Sequence, residues 1–166
     1  MSFWPVPDVI KENIYQITPR MFLNRGIRFV MLDVDNTIAP YTVHGASPSL
    51  KGWVEEMKKA GLELFILSNN KGERPEVFAR ALEIEYQKKA FKPFTKHALQ
   101  VLERKGYRPS ETALIGDQIY TDTCCGKWLG AFTVLVHPIE FSNFFLKLRY
   151  WLEFPFRLKY KWRFMK

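Results

Sequence analysis

Cysteine is almost missing from this 166-residue chain: there are two, Cys124 and Cys125, and they are adjacent. Neighbouring cysteines cannot staple distant parts of a fold, and no C-x-x-C spacing offers a metal site. They read as two small buried side chains near a helix start. No apolar run approaches the roughly 20 residues that a membrane-spanning helix needs. The N-terminus, MSFWPVPDVIKEN, has neither a positive n-region nor a continuous apolar h-region. No signal peptide is expected, and a reducing, cytoplasmic setting is the default. Histidine is scarce as well. His44, His97 and His137 fit surface or capping roles better than a ligand set. Internal repeats and low-complexity stretches are absent.

What is present is a globular composition, 47% apolar and 25% charged, at a length that suits one compact domain with a real core. The formal charge of +8 is concentrated at one end. From His137 onward there are seven basic residues against two acidic ones, and ten aromatics follow Glu140. We therefore read residues 1–138 as a domain with an irregular approach over 1–26, and 139–166 as a basic aromatic tail.

Within the domain, short apolar runs alternate with helical patterns. A short helix is expected near Pro7–Tyr15. Ile27–Asp33, Leu62–Leu67, Thr112–Gly116 and Phe132–Val136 read as buried strands, and Glu83–Lys89 has room for another short one. Helices are expected over Ser49–Ala60 ahead of Gly61, from Pro75 through Leu82, from Pro93 or Phe94 to Lys105, and over Thr121–Leu129. Alternation of this kind implies right-handed crossovers and a parallel sheet, with ligands at the carboxyl ends of the strands.

Polar clusters fall at those ends: Asp33-Val34-Asp35-Asn36-Thr37, Ser68-Asn69-Asn70, and Gly116-Asp117 with Asp122. Lys92 lies just before a predicted helix. Asp33 and Asp35 are two residues apart as the chain leaves a strand. Carboxylates that close repel unless a cation neutralises them, and a hard dication such as Mg²⁺ suits oxygen ligands. The ion would also neutralise phosphate oxygens, so that a carboxylate can attack phosphorus. Asp35 can then protonate the leaving alkoxide and later deprotonate water. Ser68 offers phosphate a hydroxyl, Lys92 a cation, and Asp117 completes the metal shell, with Asp122 placed to orient it.

The segments LDVDNT, LSNN, FKP and IGDQIYTD, in that order between Ile27 and Pro138, resemble the four motifs of the haloacid-dehalogenase (HAD) superfamily of phosphohydrolases. More narrowly, DNT, SNN, FKP and GDQ-x-x-TD are similar to the YqeG-type class IIIA phosphatases. The resemblance implies an α/β fold, a three-layer α/β/α Rossmann-like HAD core with a parallel sheet. It implies Asp33 as nucleophile and Asp35 as general acid/base. Mg²⁺ would be held by Asp33, the Asp35 carbonyl and Asp117. Phosphate would be contacted by Ser68 and Lys92, with Thr37 and Asn69 in support, and Asp122 matches the second acidic residue of the last motif.

The gaps from Asp35 to Ser68 and from Ser68 to Lys92 are too short for the cap domain that HAD enzymes usually carry. In that superfamily an open site goes with large or surface-bound substrates. The YqeG type is similar to the phosphatidylglycerophosphatases of mitochondria and plastids, which implies a lipid headgroup as substrate. Residues 141–166 interleave Phe, Tyr and Trp with Lys and Arg, a pattern suited to the surface of an anionic membrane. The protein is thus expected in the cytoplasm, peripheral to the membrane's inner face. Before Pro155, Phe144, Leu148, Trp151 and Leu152 stand at helical spacing and fit either docking on the domain or a surface role; beyond Pro155 a surface role is expected. Two other readings are a phosphatase for a soluble phosphometabolite or phosphoprotein, and a basic RNA- or ribosome-binding protein with a vestigial site. The intact motif set speaks against nucleic acid. Oligomeric state is not legible.

Overall fold

The apolar runs become the middle of a parallel sheet. The structure, a computed structural model, describes residues 5–140, 148 and 150–158. Its strands are β1 (Val9–Lys11), β2 (Phe29–Leu32), β3 (Glu63–Leu67), β4 (Glu85–Gln87), β5 (Thr112–Gly116) and β6 (Phe132–Val136). They lie in the order β1-β6-β5-β2-β3-β4, all parallel. Central β2 pairs with β3 on one side and β5 on the other, Phe29 standing opposite both Glu63 and Thr112. The order of connection reverses between β2 and β5, which is where open sheets of this kind bind ligands.

Strand alternation divides the core into two layers. Phe29 and Met31 of β2 face Phe65, Leu67, and the buried stripes of α4 (Lys96–Lys105) and α5 (Cys124–Leu129). Val30 and Leu32 face the opposite way, onto α2 (Pro48–Lys59) and α3 (Arg74–Leu82), through Leu50, Val54, Met57, Phe78 and Leu82. Helices on both faces of one parallel sheet give the three-layer α/β/α core that the sequence implies, with no cap domain among the described residues. Each fully buried Phe or Leu here is worth about 2–3 kcal/mol of transfer free energy. Local chemistry sets the helix bounds. The Ser47 hydroxyl accepts from Leu50 N at 3.1 Å, Pro48 occupies the first turn of α2, and Gly61 at φ +87° follows its end.

Three expectations are corrected. The segment near Pro7–Tyr15 is not a helix: Val9–Lys11 forms edge strand β1, followed by a 3₁₀ turn at Ile14–Gln16 and a short helix α1 (Pro19–Leu23). A three-residue strand is too short to show alternation, and what makes it is its pairing with β6. Helix α4 begins at Lys96 rather than Pro93, because Phe91 to Pro93 turn to deliver Lys92. In the tail, residues 150–158 form a helix, α6, that runs through Pro155. The carbonyl four residues before Pro155 belongs to Trp151, which is 70% exposed, so the missing N–H falls on the solvent side. The docked face is charged rather than apolar. Glu153 and Arg157, although the latter lies beyond Pro155, are buried, while Leu148, Trp151, Leu152, Phe154 and Leu158 are exposed. Phe144 and the rest of 141–147 and 159–166 lie outside the described residues.

Edge strand β1 is held by Asp8. Its carboxylate accepts from Thr133 N at 2.8 Å, Thr133 Oγ1 at 2.9 Å and Lys127 Nζ at 2.5 Å. Burial pushes this carboxyl up, but Lys127 and Thr133 together hold it below the usual carboxylate range. A depressed folded-state pKa gives stability that is present above the unfolded pKa of about 3.9 and lost as pH falls through the folded value. Asp8→Asn therefore lowers stability in urea by about 1–2 kcal/mol near neutral pH. The gap to wild type narrows steadily below pH 4. A gap that is constant from pH 7 to pH 3 would contradict the assignment.

Candidate active site

The chain coils as soon as β2 ends. Asp33 N still bonds Ile115 O at 2.9 Å, in the manner of the ladder. Then the carbonyl of Val34 collects the N–H groups of Thr37, Ile38 and Ala39 at 3.1–3.3 Å. Asn36 takes φ 61° in the left-handed region, and its side chain exchanges bonds with the backbone of Glu140 at 2.9 and 3.2 Å. This tight turn leaves Asp33 buried at the strand end.

Asp33, Asp117 and Asp122 are all buried, and each offers a carboxylate oxygen within 4.8 Å of the others'. Asp117 ends the run from β5, and Thr37 Oγ1 reaches its Oδ1 at 3.4 Å. Asp122 is brought round by a π-helical turn, Ile119–Thr123, and its Oδ2 accepts from Gln118 N at 3.2 Å. Lys92 Nζ sits among them, 2.7 Å from Asp33 Oδ1, 2.6 Å from Asp122 Oδ1 and 2.7 Å from the Leu67 carbonyl.

One ammonium thus faces three buried carboxylates. Desolvation, with Asp122 adding to it, drives the Asp33 carboxyl well above its ordinary range although Lys92 pulls the other way. Burial alone would lower the Lys92 ammonium, but Asp122 and Asp33 outweigh it and hold the amine protonated. Three carboxylates thus crowd one ammonium in a dry site, and Asp122 Oδ1 accepts no well-formed hydrogen bond despite its ion pair. A cluster of hard oxygen donors with excess negative charge fits a dication such as Mg²⁺. The nearby thiols do not compete, since burial pushes Cys125 up to about 12 and raises Cys124 as well.

The remaining sequence-predicted residues take definite places. Ser68 is buried at the end of β3, its hydroxyl accepting from Asn70 N at 3.2 Å. Asn69 uses its amide on the backbone of Lys92, at 2.8 Å to the carbonyl and 2.7 Å from the N–H, and so sets the lysine rather than reaching inward. Asp35 is turned to other partners: Asn70 Nδ2 at 2.8 Å and Arg74 Nε at 2.6 Å. Sequence reasoning missed Arg74. Its guanidinium also donates to the carbonyls of Ala39, Pro40, Tyr41 and Val43, clamping the loop that follows Asp35. A signal was there, because a cation in the first turn of a helix opposes the helix dipole and calls for a partner. Gly116 was missed as a positioning residue. A Cβ there would stand 2.2 Å from Asp122 Cγ, so only glycine lets that carboxylate fold back over β5. A separate groove of about 830 Å³, lined by Lys58, Glu63, Arg80 and Arg104 among others, opens at the amino end of β3; the titratable cluster, not this groove, marks the chemistry.

Comparison with known proteins agrees with the geometry. The family described as mitochondrial PGP phosphatase matches residues 4–140. Over 141 residues the chain is 34% identical to a probable phosphatase, YqeG, of Bacillus subtilis, covering 85% of this chain and 82% of that one. It is 28% identical over 145 residues to phosphatidylglycerophosphate phosphatase 1, chloroplastic/mitochondrial, of Arabidopsis thaliana, covering 81% of this chain and 41% of that one. In fold it resembles a putative HAD family hydrolase from Streptomyces avermitilis, with a TM-score of 0.56 and 19% identity over 69% of this chain and 76% of that chain.

Gly116→Ala tests the packing of the cluster. The added methyl must displace Asp122 from Lys92, and the variant loses about 3 kcal/mol or more in urea unfolding. At Gly45 an added Cβ meets nothing within 4 Å, so Gly45→Ala stays within about 0.5 kcal/mol of wild type. Equal stability of the two variants would refute the crowding argument.

Proposed function

The chain belongs to the mitochondrial PGP phosphatase family and is a phosphoric monoester hydrolase of the HAD type; from that premise we propose that it removes the terminal phosphate of phosphatidylglycerophosphate, with Asp33 as nucleophile. The observation that carries the reading is the buried cluster of Asp33, Asp117 and Asp122 around Lys92 at the switch point of the sheet. A carboxylate oxygen of Asp33 attacks phosphorus, and the bond from phosphorus to the leaving oxygen breaks. Asp35 gives that oxygen its proton. Asp35 then takes a proton from water as the water oxygen attacks phosphorus, freeing Asp33 and inorganic phosphate. To reach the leaving oxygen Asp35 exchanges its contact with Arg74, which makes the loop over 39–43 the part that responds to substrate. Lys92 holds Asp33 in place and keeps its positive charge beside the phosphoryl oxygens. Asp33, Asp117 and the Asp35 carbonyl are the groups we assign to Mg²⁺, with Asp122 adjoining. When bound, that ion supplies the charge that neutralises the carboxylates and phosphoryl oxygens. Ser68 and Thr37 line the phosphate side.

A lipid substrate at an anionic membrane surface is supported by what surrounds the site. Phe91 and Phe94 flank Lys92, Tyr120 follows Asp117, and α6 presents Trp151 and Phe154; all five are exposed aromatics. Interfacial aromatics beside a basic tail suit a headgroup layer. No helix among the described residues is long and apolar enough to cross a membrane. On this reading the protein is peripheral.

Asp33→Asn lowers Mg²⁺-dependent phosphate release from phosphatidylglycerophosphate in anionic vesicles by at least about 1,000-fold. Undiminished turnover in the variant would overturn the mechanism. Turnover by wild type on soluble phosphoesters alone would overturn the lipid reading. Replacing Trp151 and Phe154 with serine weakens sedimentation with anionic vesicles by about 10-fold or more. Unchanged sedimentation would remove α6 from the membrane contact.

A further inference from the structure

Three basic side chains, Lys92 and Arg157 buried and Arg74 partly buried, stand at the carboxyl edge of the sheet, and their hydrogen-bond donors can be followed one by one. Lys92 directs its ammonium at Asp33, Asp122 and the Leu67 carbonyl. Arg74 uses Nε, Nη1 and Nη2 on Asp35 and on four loop carbonyls. Arg157 differs. Only Nη2 is engaged, with the Asp117 carbonyl at 3.3 Å and Glu153 Oε2 at 3.2 Å. Its Nε and Nη1 have no hydrogen-bond partner, although the residue is only 7% exposed. A guanidinium carries five N–H donors, so three are idle away from water.

Idle buried donors are unfavourable by about 1–3 kcal/mol each, and native structures rarely keep them without a reason. The surroundings hold Arg157 where it is all the same. The Tyr150 ring lies 4.3 Å from its guanidinium carbon. Glu153, one turn earlier, accepts from Ile119 N at 2.8 Å and ties α6 to the π-helical turn. Tyr120 adds a bond from its hydroxyl to the Leu152 carbonyl at 3.0 Å and an edge contact with Phe156. Nη2 bonds the carbonyl of Asp117 directly, and Glu153 ties back to Ile119 N, so the guanidinium is seated on the loop that carries Asp117. The helix lies outside residues 4–140, the part of the chain that the family matches.

We propose that Arg157 is a specificity residue that receives a phosphodiester oxyanion beside the phosphoryl-transfer site, supplied by α6 in place of a cap. The assignment rests on the lipid-phosphate reading above and deepens it: a substrate that joins a terminal phosphomonoester to an internal phosphodiester brings a second anion, and Lys92 and Arg74 have no donor left for it. A planar fork suits two oxygens of one phosphate. Because Nε and Nη1 are covered, the oxyanion enters as α6 shifts outward, which a helix this short permits. The same oxyanion could come from the substrate itself or from a neighbouring phospholipid.

The test compares kcat/KM without vesicles for two soluble phosphomonoesters: deacylated phosphatidylglycerophosphate, which carries an internal diester, and glycerol 3-phosphate, which does not. In wild type the ratio favours the diester-bearing substrate, and Arg157→Gln reduces that ratio by about 10- to 100-fold. Arg157→Lys, which keeps charge without the fork, recovers part of it. General loosening of Asp117 slows both substrates alike, so where wild type shows the preference, an equal loss on both, or none on either, overturns the assignment. If wild type prefers the diester-bearing substrate and Arg157→Gln retains the preference, this assignment falls and the lipid reading stands. If wild type shows no preference in solution, the substrate's own diester is ruled out. A gain in glycerol 3-phosphate turnover on adding anionic vesicles, lost in Arg157→Gln, then assigns the oxyanion to a neighbouring lipid; no gain overturns the proposal.

Discussion

Burying three carboxylates around one ammonium is the constraint on which the rest of this structure depends. Isolated charges in a dry interior are unfavourable by several kcal/mol apiece, and a single ammonium shared by Asp33 and Asp122 does not by itself offset the burial of three acids. The backbone around Asp33, Asp117 and Asp122 is correspondingly over-determined. A tight turn follows β2, a π-helical turn follows β5, and residues in the left-handed region, Lys89 at φ 52° and Phe91 at φ 54°, precede Lys92. Each departs from the lowest-energy local geometry, and each places a charged group at the same point. The well-packed parallel sheet beneath supplies the stability that lets the edge carry such features.

Electrostatics also explains why the cluster is tuned rather than merely tolerated. A carboxylate that must attack phosphorus has to be ionised, yet burial and Asp122 push Asp33 toward its neutral form. Lys92 works against that tendency and a dication would complete the compensation. On the proposed mechanism the site is thus poised: Asp33 would gain full charge under the conditions that would also neutralise an incoming phosphate. Asp35 stands in a different setting, paired with Arg74 and Asn70 at the surface of the same loop. Two carboxylates with unlike partners can take unlike roles, which is the pattern expected of a nucleophile beside a proton carrier.

Most of the core and most of the cluster were legible in the sequence because their causes are local. Buried parallel strands are continuous apolar runs closed by turn residues, so β2, β3, β5 and β6 stood out, and with them the carboxyl ends where Asp33, Ser68 and Asp117 lie. The parts that escaped are those whose cause is a distant partner. β1 is a strand only through its pairing with β6 and the anchor at Asp8. Gly116 matters because of a side chain six residues on that folds back over it. Arg74 and Arg157 are long side chains whose stems cross between elements, and no periodicity encodes where such a chain ends. The orientation of α6 was left open for a related reason. Its aromatics suited either an apolar docking face or a surface role, and the backbone groups of Ile119 and Asp117 decided between them by offering Glu153 and Arg157 specific polar contacts that turn charge inward.

That inversion bears on how an uncapped phosphatase can choose a substrate. A cap excludes water and adds contacts to the leaving group; here neither gap between the motifs has room for one. The only described element that leans over the Asp117 side is α6, and it turns charge inward and aromatic rings outward. An outward aromatic face suits a headgroup layer, and an inward cation with donors to spare suits an anion next to the reacting phosphate. One short helix then meets both demands of a phosphorylated lipid: the layer it comes from and the second charge it carries. The carboxylate cluster lies within residues 4–140, the part of this chain that the family matches, whereas this helix follows it. Substrate choice in such an enzyme can therefore change with the tail while the carboxylates around Lys92 stay as they are.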